Sequence, residues 1–278
     1  MKLTNKHGLP EVIVKAIGTS RKPVKGRLSA SDLSGAPWAR IMKERHWDEI
    51  ERDAGDSLWM LLGTSIHYAL EKGAPEGALS EHRMQIQYRG YTITGIADLF
   101  YEGIISDHKV TSVFSYLLGE KPEWEVQTNI YAWLLGLEGK EVKGLRIQAI
   151  LRDWQQGKAK YDPSYPQIPF KTIEIAMWSK ERAQAYVDEW IDAYEKEEGP
   201  CSDAQRWKRE STFAVMKKGL KRAGRVLSTR KEAEQWMKKN VDEGKGSIIE
   251  RPGSYAKCEG YCDCAKFCEF KESVDELF

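Results

Sequence analysis

The sequence lacks several features that would assign it to a familiar class of protein. No apolar run approaches the roughly 20 residues that a membrane-spanning helix needs. The first residues carry no apolar stretch of the kind found in secretory signals, which predicts a cytoplasmic protein. The formal net charge is only +1 over 278 residues. This near-neutral balance argues against a protein that coats nucleic acid by charge alone, although a local basic track remains possible.

Cysteine is absent from the first 200 residues, and all five cysteines lie beyond them. Cys201 stands alone, and the others form the group Cys258-Glu-Gly-Tyr-Cys262-Asp-Cys264-Ala-Lys-Phe-Cys268. Disulfides are not expected in a reducing compartment, so thiols at short spacing predict a metal site. Thiolates suit either zinc or an iron–sulfur cluster, and the spacing leaves both open. The competing interpretation is a set of unligated thiols.

Two predicted strands bring acidic side chains together near the middle of the chain. Residues 91–98 and 104–110 are predicted as strands, with a turn between them. If Glu102-Gly103 is a two-residue hairpin loop, residue 101 pairs with residue 104 and residue 98 with residue 107. Asp98 is then expected directly opposite Asp107.

This pairing predicts a patch of two carboxylates and one ammonium group. Side chains alternate along a strand, so Asp107 and Lys109 share a face with Asp98, and His108 points to the other face. Carboxylates this close repel unless a cation lies between them, and hard oxygen ligands suit Mg²⁺ or Mn²⁺. Such a site can polarise a phosphoryl oxygen, and Lys109 can orient the attacking water. The competing interpretation is a solvated ion pair at the end of a hairpin.

Helices are predicted on both sides of this hairpin, over residues 58–71 and 123–135. Each places polar side chains four residues apart, on a single helical face. The first carries Gly63, His67 and Glu71, and the second carries Gln127 and Tyr131. Taken alone, the first pattern suits a structural histidine, and the second suits an amphipathic surface helix.

The order of these residues resembles the RecB-like exonuclease branch of the PD-(D/E)XK nucleases, which includes phage, CRISPR-associated and AddB-like iron–sulfur enzymes. The resemblance covers about a quarter of the chain. This sequence has D-x-K as its third motif, where that branch commonly has E-x-K. The matching residues are Gly63, His67, Glu71, Glu81, Gly95, Asp98, Asp107, Lys109, Gln127 and Tyr131.

The resemblance implies a role for each matching side chain. Lys109 is the implied catalytic lysine, and Gln127 and Tyr131 are implied to face DNA or shape the site. Glu71 and Glu81 are implied supporting acids. The implied ligands of Mg²⁺ or Mn²⁺ are His67, Asp98, Asp107 and the backbone carbonyl of His108. The implied ligands of an iron–sulfur cluster, most simply 4Fe-4S with zinc as the alternative, are Cys201, Cys258, Cys262 and Cys268. Cys264 could replace Cys201 as the fourth ligand.

The order of predicted elements indicates an α/β fold with a central mixed sheet flanked by helices, a restriction-endonuclease-like core, and a C-terminal cysteine-ligated extension. The expected segments are an N-terminal arm and helix (1–54), a nuclease core (55–197), and a basic segment with the cysteine group (198–278) packed on that core. No acid occurs between Glu210 and Glu232. This stretch predicts phosphate contacts or, equally, a solvated loop. Its basic residues are Lys217, Lys218, Lys221, Arg222 and Arg225.

The predicted function is a Mg²⁺- or Mn²⁺-dependent deoxyribonuclease. An exonuclease is favoured over an endonuclease because nothing in the sequence resembles a sequence-reading module, and the resemblance implies DNA end processing in recombination or repair. A recombination or helicase partner is expected by analogy only. Two alternatives stay open: a catalytically silent DNA-binding scaffold, and a zinc-binding interaction module with incidental carboxylates.

Overall fold

The computed structural model describes residues 1–18, 20–119 and 121–271. The chain divides into two compact units, Met1–Glu198 and Gly199–Phe278, which are described separately below. The final positions of the predicted C-terminal segment, 272–278, lie outside the described residues. Within the described ranges, no helix combines the length and apolar character that crossing a membrane requires.

The first unit contains a six-stranded mixed sheet and the helices around it. Its strands are β1 (Lys2–Thr4), β2 (Arg27–Ser29), β3 (Glu51–Asp53), β4 (Leu79–Tyr88), β5 (Tyr91–Tyr101), β6 (Ile104–Thr111), β7 (Gly144–Leu151) and β8 (Phe170–Ile175). Its helices are α1 (Glu11–Ile17), α2 (Ala30–Leu33), α3 (Pro37–Arg45), α4 (Leu58–Lys72), α5 (Val113–Leu117), α6 (Pro122–Leu137), α7 (Gln156–Tyr161) and α8 (Lys180–Glu195). A 3₁₀ turn at Gly55–Ser57 leads into α4.

The main sheet runs β2-β5-β6-β7-β8, and β4 pairs with β5 outside this path. Pairs β2/β5 and β6/β7 are parallel, whereas β4/β5, β5/β6 and β7/β8 are antiparallel. Strands β1 and β3 form a separate parallel pair. The predicted fold class, a mixed central sheet flanked by helices, is confirmed.

The core lies between the sheet and helices α6 and α8. Ile130 and Leu134 of α6 and Ile191 of α8 are fully buried there, together with Ile93 and Leu145 of the sheet. The burial of each side chain of this size stabilises the folded state by about 1.5–3 kcal/mol. Helix α6 is apolar around most of its circumference because it fills the space between the sheet and α8.

The predicted N-terminal arm and helix (1–54) lie in the same compact unit as the predicted core. Strand β2 adds to the sheet beside β5, and Leu28 and Leu33 are buried in the core at 1% and 0% exposure. Helix α2 begins with a reciprocal capping box, in which the side chains of Ser29 and Asp32 each bond the other's backbone N–H. A three-residue strand is too short for its pattern to reveal this role.

The second unit holds a small antiparallel sheet in the order β11-β10-β12, and a two-stranded ladder of β9 and β13. Helix α9 packs against this sheet, with Val215 and Ala233 fully buried. The elements are β9 (Lys208–Arg209), β10 (Thr212–Lys217), β11 (Arg225–Leu227), α9 (Arg230–Asn240), β12 (Gly246–Arg251), β13 (Ser254–Tyr255) and α10 (Ala256–Gly260). A 3₁₀ turn at Ala265–Phe267 follows.

Candidate metal and nuclease site

The site lies where the sheet opens around β5. The predicted hairpin register is confirmed by the pairs Tyr101–Ile104 and Leu99–Ser106. The ladder ends there, one step before Asp98 would pair with Asp107. On its other edge, β5 pairs with β4 on both sides of Asp98, but the position opposite, Glu81, makes no ladder pair. The β4/β5 ladder is therefore interrupted at Asp98, and the β5/β6 ladder stops just before this residue.

Asp98 connects the hairpin to helix α4. Its Oδ2 accepts a 2.7 Å hydrogen bond from the backbone N–H of His108, and its Oδ1 lies 3.4 Å from His67 Nδ1. The rings of His67 and His108 meet edge to face at 6.0 Å between centroids. Helix α4 thus lies on the His108 side of β6. The role of the His108 carbonyl as a ligand stays a prediction.

Asp107 and Lys109 lie on the opposite face of β6, towards α6. Lys109 Nζ is 2.7 Å from Asp107 Oδ2 and donates a 3.0 Å hydrogen bond to Gln127 Oε1. Gln127 Nε2 in turn donates to the Tyr131 hydroxyl at 2.6 Å. The structure therefore joins four predicted site residues in one continuous chain of contacts. The alternation predicted for Asp107, His108 and Lys109 agrees with these contacts.

Glu81 is the residue whose importance the sequence pattern understated. It has a left-handed backbone (φ 49°), which is unfavourable for a non-glycine residue by about 1–3 kcal/mol. This conformation brings its carboxylate to the opening of the sheet at Asp98, which we call the fork. There, ligand atoms of His67, Glu81 and Asp98 all lie within 4.8 Å of one another. Its position after the first helix is the signal that pointed to it, and no local pattern predicts the backbone twist.

Burial and mutual repulsion shape the charges at this site. Burial raises the pKa of Asp107 to about 6, and nearby Asp98 adds to the shift while Lys109 opposes it. Burial would also raise the pKa of Asp98, but contacts from His67, the His108 backbone and Lys109 lower it overall. Hydrogen bonding to Asp98 raises the pKa of His67. Burial and the Asp98 charge raise the pKa of Glu81.

The buried carboxylate of Asp107 is expected to lower the free energy of unfolding of the metal-free protein at alkaline pH. Its folded-state pKa of about 6 exceeds the ordinary value of 3.8, so the folded state binds a proton more tightly than the unfolded state does. The resulting contribution to stability is fully present below pH 3.8 and is lost as pH rises through 6. Asp107→Asn is therefore expected to stabilise the protein in EDTA at pH 8 by about 1–3 kcal/mol, with a smaller gain at pH 5. Urea unfolding at both pH values measures this. A loss of stability at pH 8 would contradict it.

Glycine is required at position 95 because the surrounding side chains leave no room for a Cβ atom. A Cβ at this position would lie 2.9 Å from Leu134 Cδ1 and 3.1 Å from both Met84 Cε and Tyr131 Cδ1. Gly95→Ala is expected to destabilise the protein by about 1–3 kcal/mol and to displace Tyr131. Gly63→Ala is the matched control, because a Cβ there meets nothing within 4 Å and should stabilise α4 by about 0.5–1 kcal/mol. Thermal unfolding of both variants tests this contrast, and equal changes in their unfolding temperatures would refute it.

Two further predicted groups are not among the converging ligand atoms, although burial and the charge of Glu71 both help to raise the pKa of Glu81. Glu71 is at the end of α4, half-buried, and pairs with Lys72 at 3.6 Å. The predicted basic residues of the second unit run from the last residue of β10, Lys217, to the first residue of β11, Arg225. Lys217 donates a 3.0 Å hydrogen bond to the Asn240 carbonyl, which holds it on α9. The remaining four are exposed: Lys218, Lys221, Arg222 and Arg225. Their contact with DNA stays a prediction.

The cysteines converge within the second unit, although Cys201 is distant in sequence. Burial, together with the charges of Cys262, Cys268 and Cys258, raises the pKa of Cys201 to about 11, so these thiols lie within electrostatic reach of Cys201. Cys264 is buried and bonds Cys262 through its side chain and backbone, which lowers the pKa of Cys262 to about 6. Helix α10 and the 3₁₀ turn fold the C-terminal group back on itself.

Comparisons with known proteins give weak matches. No family model matches the chain, and no curated protein does. Among solved structures, the protein SSO0001 has 18% identity and a TM-score of 0.48, over 70% of this chain and 90% of its own. An alkaline exonuclease (LHK-Exo) from Laribacter hongkongensis has 11% identity and a TM-score of 0.40, over 62% and 89%. A phage-related exonuclease from Haemophilus somnus 129PT has 18% and 0.32, over 48% and 69%. All three likenesses are low, so any functional conclusion has to come from the geometry of the site.

Proposed function

We propose that this chain is a divalent-metal-dependent DNA nuclease of the PD-(D/E)XK type. The observation that carries the proposal is the fork at Asp98. There the sheet opens, a lysine on β6 reaches one carboxylate, and a histidine on α4 reaches another. Solvated ion pairs do not require a left-handed glutamate or a carboxylate buried to 1% exposure, as Glu81 and Asp107 have here. The competing interpretation of an incidental hairpin-end pair therefore fits poorly.

The residues at the fork suit a hard divalent cation. The converging ligand atoms belong to His67, Glu81 and Asp98, and carboxylate oxygens with one imidazole are donors that Mg²⁺ and Mn²⁺ accept. Asp107 lies outside this group, although its charge interacts with Asp98, and is proposed as a further ligand. Among the described residues, no hydrogen bond of good geometry reaches the buried Oδ2 of Asp107, although Lys109 is close. An under-satisfied buried carboxylate oxygen beside further carboxylates supports a cation site. When bound, the cation polarises a phosphoryl oxygen and acidifies a coordinated water.

We assign Lys109 the role of the catalytic lysine within this proposal. An ammonium group has three donors; one of them bonds Gln127, and the group also forms an ion pair with Asp107 at 2.7 Å. A remaining donor can hold the attacking water or a phosphate oxygen that gains charge in the transition state. Gln127, held by Tyr131, prevents Lys109 from swinging away from the fork. The reaction is hydrolysis of a phosphodiester to a phosphomonoester and an alcohol.

The proposal favours an exonuclease that acts on DNA ends in recombination or repair. The exposed basic residues of the second unit suit phosphate contacts, and such contacts position DNA without reading its sequence. A 4Fe-4S cluster held by Cys201, Cys258, Cys262 and Cys268 would tie together the two ends of this unit. The charges of Cys258, Cys262 and Cys268 act on the pKa of Cys201, which supports Cys201 as a member of the set, and Cys264, which bonds Cys262, stays the alternative fourth ligand.

End-labelled linear DNA tests the function directly. Single- and double-stranded substrates are incubated with the wild-type chain in Mg²⁺, Mn²⁺ or EDTA. Metal-dependent shortening of the label is expected, and comparison of 5′- and 3′-labelled strands gives the polarity. A metal-replete chain that cleaves neither substrate in either metal would overturn the proposal and favour the scaffold alternative.

A further inference from the structure

Helix α4 is strongly apolar, yet none of its residues is buried. An apolar helix is normally covered by the core or by a ligand, because contiguous exposed apolar surface is unfavourable in water. The same helix brings His67 to the candidate metal site, so its exposed surface is continuous with that site. Five of its large side chains are exposed: Leu58, Trp59, Met60, Leu62 and Tyr68.

Trp59 carries the most specific recognition chemistry on this helix. Its side chain is 59% exposed, and the guanidinium of Arg152 lies 4.4 Å from its ring centroid. The guanidinium covers one face of the indole, and the exposed remainder of the ring offers a base a stacking surface while the guanidinium offers a phosphate a positive charge. An interface with an apolar protein surface would gain nothing from the charge of Arg152.

The pair lies near the fork. The Arg152 backbone N–H donates to the Thr111 carbonyl at 2.9 Å, and Thr111 is two residues beyond Lys109, about 7 Å along β6. Trp59 is eight residues before His67, about 12 Å along the axis of α4. A strand whose scissile phosphate is at Lys109 therefore brings adjoining nucleotides to this pair.

A second exposed aromatic ring lies at the same corner of the sheet. Asp153, next to Arg152, accepts a 2.7 Å hydrogen bond from the Val113 backbone through its Oδ1. This contact holds the start of α5, where Phe114 is 65% exposed. Aromatic rings and cations thus accompany the ends of β6 and β7.

We propose that Trp59 and Arg152 form a subsite for an unpaired nucleotide, with the base stacked on the indole and a phosphate near the guanidinium. A base within a duplex has both faces covered by its neighbours, so it cannot stack on Trp59. The subsite therefore selects a single strand or a frayed end. This inference rests on the proposed nuclease function and specifies its substrate.

Binding without cleavage tests the subsite independently of catalysis. Fluorescence anisotropy of labelled oligothymidine and of a duplex of equal length is measured in EDTA. Trp59→Ala is expected to weaken single-strand binding about tenfold or more, and Trp59→Phe should retain most of it, because phenylalanine still stacks. Arg152→Ala should weaken binding and reduce its salt dependence, by about 0.7 in log–log slope per lost phosphate contact.

Tyr68→Ala is the matched control. Tyr68 is also exposed and also has a cation over its ring, Lys72 at 5.2 Å. Nine residues separate it from Trp59, which places it on the opposite side of α4. Its replacement should leave single-strand affinity unchanged. Circular dichroism and thermal unfolding establish that each variant is folded.

Three outcomes would overturn the subsite. Trp59→Ala could bind oligothymidine as wild type does, or it could lose single-strand and duplex binding equally. In the third, sedimentation would show a wild-type dimer that Trp59→Ala dissociates without any change in DNA binding, which makes this face a contact between copies. A chain that binds single strands through Trp59 but cleaves nothing would refute the nuclease and keep the subsite. If cleavage depends on Lys109 but single-strand binding does not depend on Trp59, the nuclease function stands and the subsite is refuted.

Discussion

Lys109→Ala is expected to lower DNA cleavage at least about 100-fold while DNA binding in EDTA stays within about twofold of wild type. A preorganised donor that stabilises developing charge is worth about 10²–10³ in rate, whereas one lysine among several cations adds little to affinity. The side chain is held by Asp107 and Gln127 before substrate arrives, so no reorganisation is needed at the moment of reaction. Single-turnover cleavage of end-labelled DNA measures the rate.

The control for this variant is Lys180→Ala, which removes an exposed lysine at the start of α8. Its cleavage rate should equal that of wild type. Because Lys109 also neutralises the buried Asp107, thermal unfolding of Lys109→Ala has to accompany the assay. A folded Lys109→Ala protein that cleaves at the wild-type rate would exclude Lys109 from the chemistry and with it the assignment of this fork.

Cys201→Ala is expected to remove the metal from the second unit. Iron should fall from about four per chain to below one, with loss of the brown colour and of the acid-labile sulfide. Metal binding contributes to folding free energy in small metal-held units, so the unfolding temperature of this unit should fall sharply. Metal and sulfide analysis of anaerobically purified protein measures the first effect, and calorimetry measures the second.

Cys264→Ala is the matched control for the cluster. Cys264 is the most buried of the five cysteines and contacts Cys262, so its loss should cost packing energy but leave the iron in place. If Cys264→Ala loses the metal and Cys201→Ala keeps it, the fourth ligand is Cys264. One zinc per chain without iron would replace the cluster by a zinc site. A wild-type protein free of metal after anaerobic purification would contradict both.

The predicted hairpin shows where sequence reasoning is strong. A two-residue loop determines which residues pair for several steps, so Glu102-Gly103 was enough to align residue 99 with 106. The helix predicted over residues 58–71 extends one residue further, to Lys72. These features depend on interactions between residues close in the chain, and their patterns are complete within a short window.

Contacts between distant residues could not be predicted in this way. Glu81 reaches His67 only because the backbone of β4 twists opposite Asp98, and Leu28 enters the core only because β2 finds β5. A tryptophan in an apolar helix is expected to be buried, yet Trp59 is exposed. Each of these positions depends on which elements pack beside it, and that information is not local.

The chemical groups of the candidate sites follow from the sequence alone: two acids and a lysine on one hairpin, a histidine on the preceding helix, and thiols confined to the C-terminal part. Spacing alone could order these groups because strands and helices have fixed periods. At the level of sequence, Glu81 and Cys201 were implied only by the family resemblance, whereas tertiary packing interrupts the β5 ladders at Asp98 and turns the backbone of Glu81 so that its carboxylate reaches His67 and Asp98. These outcomes arise from packing between segments far apart in the chain, where no local period constrains the result.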